Sequence, residues 1–190
     1  MNSEKILDKF RETDALLEGH FILSSGLHSP KYLQCALALQ YPYDAAKFGQ
    51  AIAEYFVDAQ IETVASPAIG GLVIGYEVAK ALNVRFIWTE RKEGKMTLRR
   101  GFGIKRIERI LAVEDVITTG GSINECIDVL KLNGAAVVNA ASIIDRSGGK
   151  ADVGVPRISL VELDVATYKP EECPMCADGT EAVKPGSRGN

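Results

Sequence analysis

Glu114-Asp115 followed by Val116-Ile117-Thr118-Thr119-Gly120-Gly121-Ser122 is the stretch of this chain whose residue types and order can do chemistry. Two adjacent carboxylates can accept hydrogen bonds from vicinal hydroxyls or stand beside a divalent cation. The threonines, glycines and serine after them offer hydroxyl donors and unpaired backbone N–H groups at a helix start, where the helix dipole also favours a dianionic phosphate. A generic strand–turn–helix connection capped by Ser122 would explain a lone Gly-Gly pair, but not the full order of acids, apolar pair and hydroxyl-glycine run. No Gly-Lys-Ser/Thr follows the glycines, so this is not a Walker A loop, and Gly70-Gly71 lacks the spacing of a dinucleotide fingerprint.

A second feature is electrostatic. Arg91, Lys92, Lys95, Arg99, Arg100, Lys105 and Arg106 are seven of the 22 basic residues, set against the single acid Glu93. With Gly94, Gly101 and Gly103 as breakers, the segment reads as a mobile basic loop that closes over a polyanion such as pyrophosphate. The bland alternative is a solvated charged hairpin. A nucleic-acid patch is disfavoured, because Phe102 is the one stacking residue in it. Cys35 and Cys126 sit in apolar patterns and read as small core residues, as do Phe86 and Trp88; His20 and His28 receive no catalytic role. Cys173-Pro174-Met175-Cys176 resembles half of a zinc knuckle, but tetrahedral zinc needs four ligands and the chain has no second Cys-x-x-Cys. A closed single-chain zinc site is therefore not expected; a site shared across a dimer or a reversible disulfide are the alternatives.

The elements that must position these residues follow from periodicity. Ser3 with Ile6, Leu7, Phe10 and Leu17 predicts a capped helix ending near Gly19, and His20 to Leu23 and Lys31 to Leu37 read as short strands. Pro42 opens a second helix. Strands at Thr63–Ala65, Val84–Trp88, Arg109–Val113, Ala136–Ile144 and Ile158–Val165 then alternate with helices at Gly70–Leu82 and Ser122–Leu132. Such alternation implies an α/β fold with a mostly parallel sheet flanked by helices, whose ligands bind beyond the carboxyl ends of the strands. The loops at Ser66–Gly71, Thr89–Gly103 and Glu114–Ser122 are the ones so placed. The chain's 190 residues, 46% hydrophobic and 25% charged, suit one domain with its own core. The net charge of -3 argues against binding nucleic acid as a whole. The longest uncharged run, Thr63 to Tyr76, is broken by Ser66, Pro67, Gly70, Gly71 and Gly75 and is too short to span a membrane. With no signal peptide in view, the expected location is cytoplasmic.

Read together with the N-terminal part, these loops resemble those of a known family. Phe21-Ile22-Leu23-Ser24-Ser25-Gly26-Leu27-His28-Ser29-Pro30-Lys31-Tyr32 resembles the hood segment of the orotate phosphoribosyltransferases, and Glu114 to Ser122 the 5-phosphoribosyl 1-diphosphate (PRPP) signature of the type I phosphoribosyltransferases. Ser66 to Gly71 is similar to that family's pyrophosphate loop, Thr89 to Lys95 to its catalytic loop, and Ile144-Asp145-Arg146 to the strand end that carries an orotate-binding arginine. The likeness covers about Phe10 to Val165. It implies the type I phosphoribosyltransferase fold over residues 1–190, with a small hood formed by about residues 1–40 and the C-terminal segment, and an irregular tail at 168–190.

The resemblance also implies an activity: transfer of phosphoribosyl from PRPP to N1 of orotate, giving orotidine 5'-phosphate and pyrophosphate in pyrimidine biosynthesis, with Mg2+ held mainly through PRPP. Glu114, Asp115 and Lys95 would be catalytic. Ile69, Gly70, Arg91, Lys92 and Lys95, with Glu114 through Val116, Ile117, Thr118, Thr119, Gly120, Gly121 and Ser122, would bind PRPP. Ser24, Tyr32, Leu33, Thr118 and Arg146 would hold orotate. Ser24, Gly70 and Thr97 stand where many relatives carry lysine, lysine and histidine, which leaves the loop's chemistry to Lys95. A homodimer with shared active sites is implied as well. The competing class is a regulator that keeps the PRPP pocket as a sensor, or a transferase acting on another base.

Overall fold

A computed structural model describes residues 1–23 and 25–185. Six strands form the central sheet in the order β5-β4-β3-β6-β7-β8, built from β3 (Thr63–Pro67), β4 (Arg85–Lys92), β5 (Lys95–Leu98), β6 (Arg109–Ile117), β7 (Ala136–Asp145) and β8 (Arg157–Glu162). All neighbours are parallel except the β4–β5 edge pair. Helices α3 (Pro42–Ala53) and α4 (Gly71–Leu82) cover one face and α5 (Gly121–Leu132) the other. Two apolar clusters fill these layers, one around Phe10, Phe48, Ile52, Val64, Ile74 and Leu111, the other around Ile87, Ile110, Ile117, Ile127 and Leu130. This is the α/β architecture, a mostly parallel sheet flanked by helices, that the alternating pattern predicts.

A separate two-stranded antiparallel sheet, β1 (Leu16–Ile22) with β2 (His28–Leu33), forms the hood. Helix α1 (Ser3–Glu12) is capped by Asn2, whose side chain accepts from the Lys5 N–H at 3.1 Å, not by Ser3. It ends at Glu12, where Asp14 turns left-handed at φ 54°, well before Gly19. Leu16 and Leu17 therefore belong to a strand and not to a helical stripe. The expected strand through Leu37 also stops early. Cys35-Ala36-Leu37-Ala38-Leu39, made of helix-compatible residues, coils into the short helix α2 after the Gln34 N–H bonds to the Ala15 carbonyl at 2.8 Å.

The basic segment expected to be a mobile loop is, in this structure, a hairpin. β4 runs on to Lys92, Glu93 and Gly94 turn at φ 53° and 80°, and β5 returns with Arg91 opposite Met96 and Lys92 opposite Lys95. Two positive φ values across a two-residue loop make a turn that matches strand twist, with glycine at its second position. The described tail also has more structure than an irregular segment. It carries the short helix α6 (Pro174–Ala177) and is bridged to the hood at His28–Tyr168 and Phe21–Val183.

Candidate functional site

The acid pair lies within the last turn-facing residues of β6, because the strand continues to Ile117 and does not end at Val113. Glu114 is 7% exposed, and its Oε1 accepts from the Asp115 N–H at 3.3 Å; Asp115 Oδ1 accepts from the Val116 N–H at 2.8 Å. Among the described residues no lysine or arginine pairs with either carboxylate. Burial, reinforced by the neighbouring Asp115, pushes the Glu114 carboxyl up to about 9, and burial likewise raises Asp115. A buried acid pair without a counter-cation is costly for a fold and well suited to meet a positive centre that arrives with a ligand.

Two loops frame the pair. After β3, the chain passes through a cis Ala68–Ile69 peptide into Gly70, which lies so close to the acids that a Cβ there would stand 2.8 Å from Asp115 Oδ1. Ile69 itself is 84% exposed, so the loop presents backbone to the solvent side of the site. After β6, Thr118 and Thr119 lead to Gly120, which adopts φ 82° and begins α5. A side chain there would be strained and would crowd Val153 at 3.2 Å. The turn thus delivers the Thr119–Ser122 amides to the N-terminus of a twelve-residue helix.

Arg146 follows the end of β7, and its N–H donates to the Ile117 carbonyl at 2.7 Å, which sets it directly beside the start of the Thr118–Ser122 loop. Its guanidinium is half-buried, forms no ion pair among the described residues, and is lowered in pKa by desolvation. Asp145, fully buried, holds this corner by accepting from the Ser147 N–H and from Arg157, each at 2.7 Å. Burial alone would raise Asp145, but these donors hold it below the usual carboxylate range. Tyr32 and Leu33 end β2, and Cys35, buried at the start of α2 just after them, is held well above the usual thiol range by burial, with the negative charge of Asp115 and Glu114 adding to the shift. Sequence periodicity identifies Cys35 as core but gives no sign of these charges nearby. Ser24 lies outside the described residues.

On the hairpin, Arg91 pairs with Glu125 on α5 at 2.8 Å, while Arg99 and Arg100 pair with Glu90 at 3.3 and 2.9 Å. Lys92 and Lys95 are exposed and form no ion pair among the described residues. β5 lies three places from β6 in the sheet, about 14 Å sideways at the usual strand spacing, so Lys95 is not gathered to the acid pair of its own chain. Phe86 and Trp88, expected in the core, are half-buried: Phe86 packs against the core cluster under α4, with its ring 6.2 Å from that of Tyr76, and both line an apolar groove of about 330 Å³ with Leu72, Val73 and Tyr76 of α4.

One grouping is not visible in the sequence. His20 and His28, from the hood strands, lie against Cys173 and Cys176, and the four possible ligand atoms fall within 4.8 Å of one another. No spacing rule connects positions separated by some 150 residues.

Comparison with known proteins agrees with this geometry. The phosphoribosyl transferase domain model matches residues 43–165. The orotate phosphoribosyltransferase of Caldicellulosiruptor saccharolyticus is 53% identical over 188 residues, 99% of this chain and 98% of that one. That of Thermotoga maritima is 51% identical over 98% of each chain. Among solved structures, orotate phosphoribosyltransferase from Aeropyrum pernix superposes with a TM-score of 0.66 at 28% identity, covering 83% of this chain and 93% of that chain.

Proposed function

The chain belongs to the orotate phosphoribosyltransferases of the phosphoribosyl transferase domain family, and from that premise we propose that it transfers phosphoribosyl from PRPP to N1 of orotate, releasing pyrophosphate and forming orotidine 5'-phosphate. The observation that carries the reading is the acid pair of buried Glu114 and half-buried Asp115, unpaired with any cation among the described residues and framed by a phosphate-type helix start on one side and the Gly70 backbone on the other. As the bond from the anomeric carbon to pyrophosphate lengthens, positive charge grows on the ribose. The two carboxylates grip its vicinal hydroxyls and stabilise that charge in a low-dielectric setting. Thr118, Thr119, Gly120, Gly121 and Ser122 hold the 5'-phosphate, with the backbone of Val116 and Ile117 leading into the loop. Ile69 and Gly70 offer main-chain groups to the pyrophosphate.

Arg146 supplies a planar, bidentate partner for the carboxylate of orotate, and its lack of a counter-ion among the described residues supports that role. Tyr32 and Leu33, with Thr118, would complete the base pocket, to which the family resemblance adds Ser24. The hard oxygen donors of Asp115 and Glu114 beside the Gly70 loop fit Mg2+. When bound, Mg2+ would be carried mainly by PRPP and would neutralise the pyrophosphate oxygens.

We read residues 1–190 as one phosphoribosyltransferase domain with its hood, acting as a homodimer. Two observations support the dimer. The apolar groove around Tyr76 and Trp88 is uncovered in the single chain, and Lys92 and Lys95 carry free charge far along the sheet from their own acids. In the dimer, Arg91, Lys92 and Lys95 would neutralise the leaving pyrophosphate in the neighbouring site. Among the described residues no helix is long and apolar enough to cross a membrane. Four free thiols support a reducing, cytoplasmic setting. Incubation with PRPP, Mg2+ and orotate, followed by the loss of orotate absorbance, tests the reading. Consumption of uracil or adenine with orotate untouched would assign another base.

A further inference from the structure

We propose that His20, His28, Cys173 and Cys176 form a structural zinc site that fastens the C-terminal tail to the hood. The four side chains come from three places: β1, the start of β2, and the turn that opens α6. His20, His28 and Cys173 are 4%, 7% and 3% exposed, and Cys176 closes the cluster from the solvent side. Cys173 Sγ and Cys176 Sγ lie 3.6 and 3.7 Å from His20 Nε2, and Cys176 Sγ lies 3.3 Å from His28 Nδ1. A tetrahedral ion with Zn–S of about 2.3 Å and Zn–N of about 2.0–2.1 Å separates sulfur from nitrogen by about 3.5 Å. To admit the ion the two nitrogens, 2.7 Å apart in a hydrogen bond, must spread, and the widest pair, within 4.8 Å, must draw in by about 1 Å.

The ring orientations fit ligation. His20 Nδ1 lies 2.8 Å from the Thr180 carbonyl, which can only accept, so Nδ1 carries the hydrogen and the Nε2 lone pair faces the cluster. That carbonyl is the outer partner that ligating imidazoles generally have. With the ion in place, His28 carries its hydrogen on Nε2 and ligates through Nδ1. No carboxylate belongs to the cluster, and two sulfurs with two imidazole nitrogens select zinc over magnesium or calcium. A Cys173–Cys176 disulfide would occupy both sulfurs and leave the imidazoles paired only with each other.

The tail's composition explains the need for such a fastening. Between Tyr168 and Val183 nearly every residue is exposed, Cys173 being the buried one, so apolar burial contributes little there. Yet the segment docks by backbone bonds to both hood strands: Val183 N–H to His20 O, Ile22 N–H to Val183 O, and a reciprocal pair between Tyr168 and His28, at 2.8–2.9 Å. Segments with too small a core to order themselves commonly rely on a metal. The inference is independent of the reaction proposed above.

The test uses the full chain purified without chelators. Elemental analysis after gel filtration should find about one zinc per chain, falling below about a tenth in Cys173→Ser/Cys176→Ser and in His28→Ala. Cobalt substitution should give the visible bands of a tetrahedral site with thiolate-to-cobalt charge transfer. Because the variants could also lose the tail's fold, the wild-type chain is stripped of metal as a second measurement. Stripping should lower the melting midpoint by at least about 5 °C and open the exposed Glu171–Glu172 segment to glutamyl endopeptidase, both reversed by zinc and not by magnesium. Stoichiometric metal that persists in the double cysteine variant, no metal retained after zinc loading, or a Cys173–Cys176 disulfide in anaerobically purified protein would each overturn the proposal.

Discussion

Glu114→Gln should make this protein more stable and far less active, with a pH signature that identifies the cause. In the native chain burial and the adjacent Asp115 push the Glu114 carboxyl from 4.5 up to about 9. Between those values the native state keeps a proton that the unfolded chain has released. Stability therefore falls as pH rises through that window and is unaffected below it. Keeping a proton at pH 7 on a carboxyl of ordinary value 4.5 costs about 1.4 kcal/mol for each pH step above it, about 3 kcal/mol in all. Glutamine removes that cost while conserving shape. At about 2–4 °C per kcal/mol for a chain of this length, the variant should melt up to about 10 °C higher near neutral pH and level with wild type near pH 4. Turnover should drop by about 10²-fold or more, because the positive charge that arrives with the ligand draws the proton off Glu114 and makes it an anion in the transition state, which glutamine cannot become. Calorimetry across pH and initial rates of orotate loss read both. A variant destabilised near neutrality, or one whose stability difference does not change with pH, would refute the reasoning.

Arg146→Ala should raise KM for orotate strongly, since a carboxylate losing its charged partner costs roughly 2–5 kcal/mol, while calorimetric PRPP binding stays nearly unchanged; equal losses for both substrates would make Arg146 structural. Gly70→Ala isolates the close approach to Asp115. Its φ of -53° suits alanine, so a fall in kcat/KM of about 10-fold or more with a melting point close to wild type is expected, and unchanged kinetics would mean the acid pair does not need that spacing. Mixing inactive Lys95→Ala protomers with inactive Asp115→Asn protomers should restore activity, because each heterodimer holds one site free of both substitutions. No recovery after demonstrated subunit exchange would remove Lys95 from the neighbouring site.

The parts of this protein that sequence reveals are those specified over short distances. The alternating strands and helices, and the run from Glu114 to Ser122, occupy consecutive positions, so pattern alone places them. Boundaries are less legible where two local signals compete. Leu16 and Leu17 fit a helical stripe until Asp14 turns left-handed, and Ala36 and Ala38 coil into a helix just after the strand that Tyr32 and Leu33 end. In the basic segment, charge predicts exposure, but Glu93-Gly94 dictates a tight hairpin that composition does not show. Phe86 and Trp88 satisfy a core pattern but stay half-buried at a groove beside α4, since hydrophobicity does not say how completely a helix covers a sheet face. The union of His20 and His28 with Cys173 and Cys176 arises only from folding, through the docking of the tail on the hood.

The most direct test of the central claim is the stoichiometry of pyrophosphate release from PRPP and Mg2+, with and without orotate. The site described here should release one pyrophosphate for each orotidine 5'-phosphate formed and essentially none when orotate is omitted. PRPP bound without any release would contradict transfer and describe a sensor, and release at the same rate without orotate would describe a hydrolase.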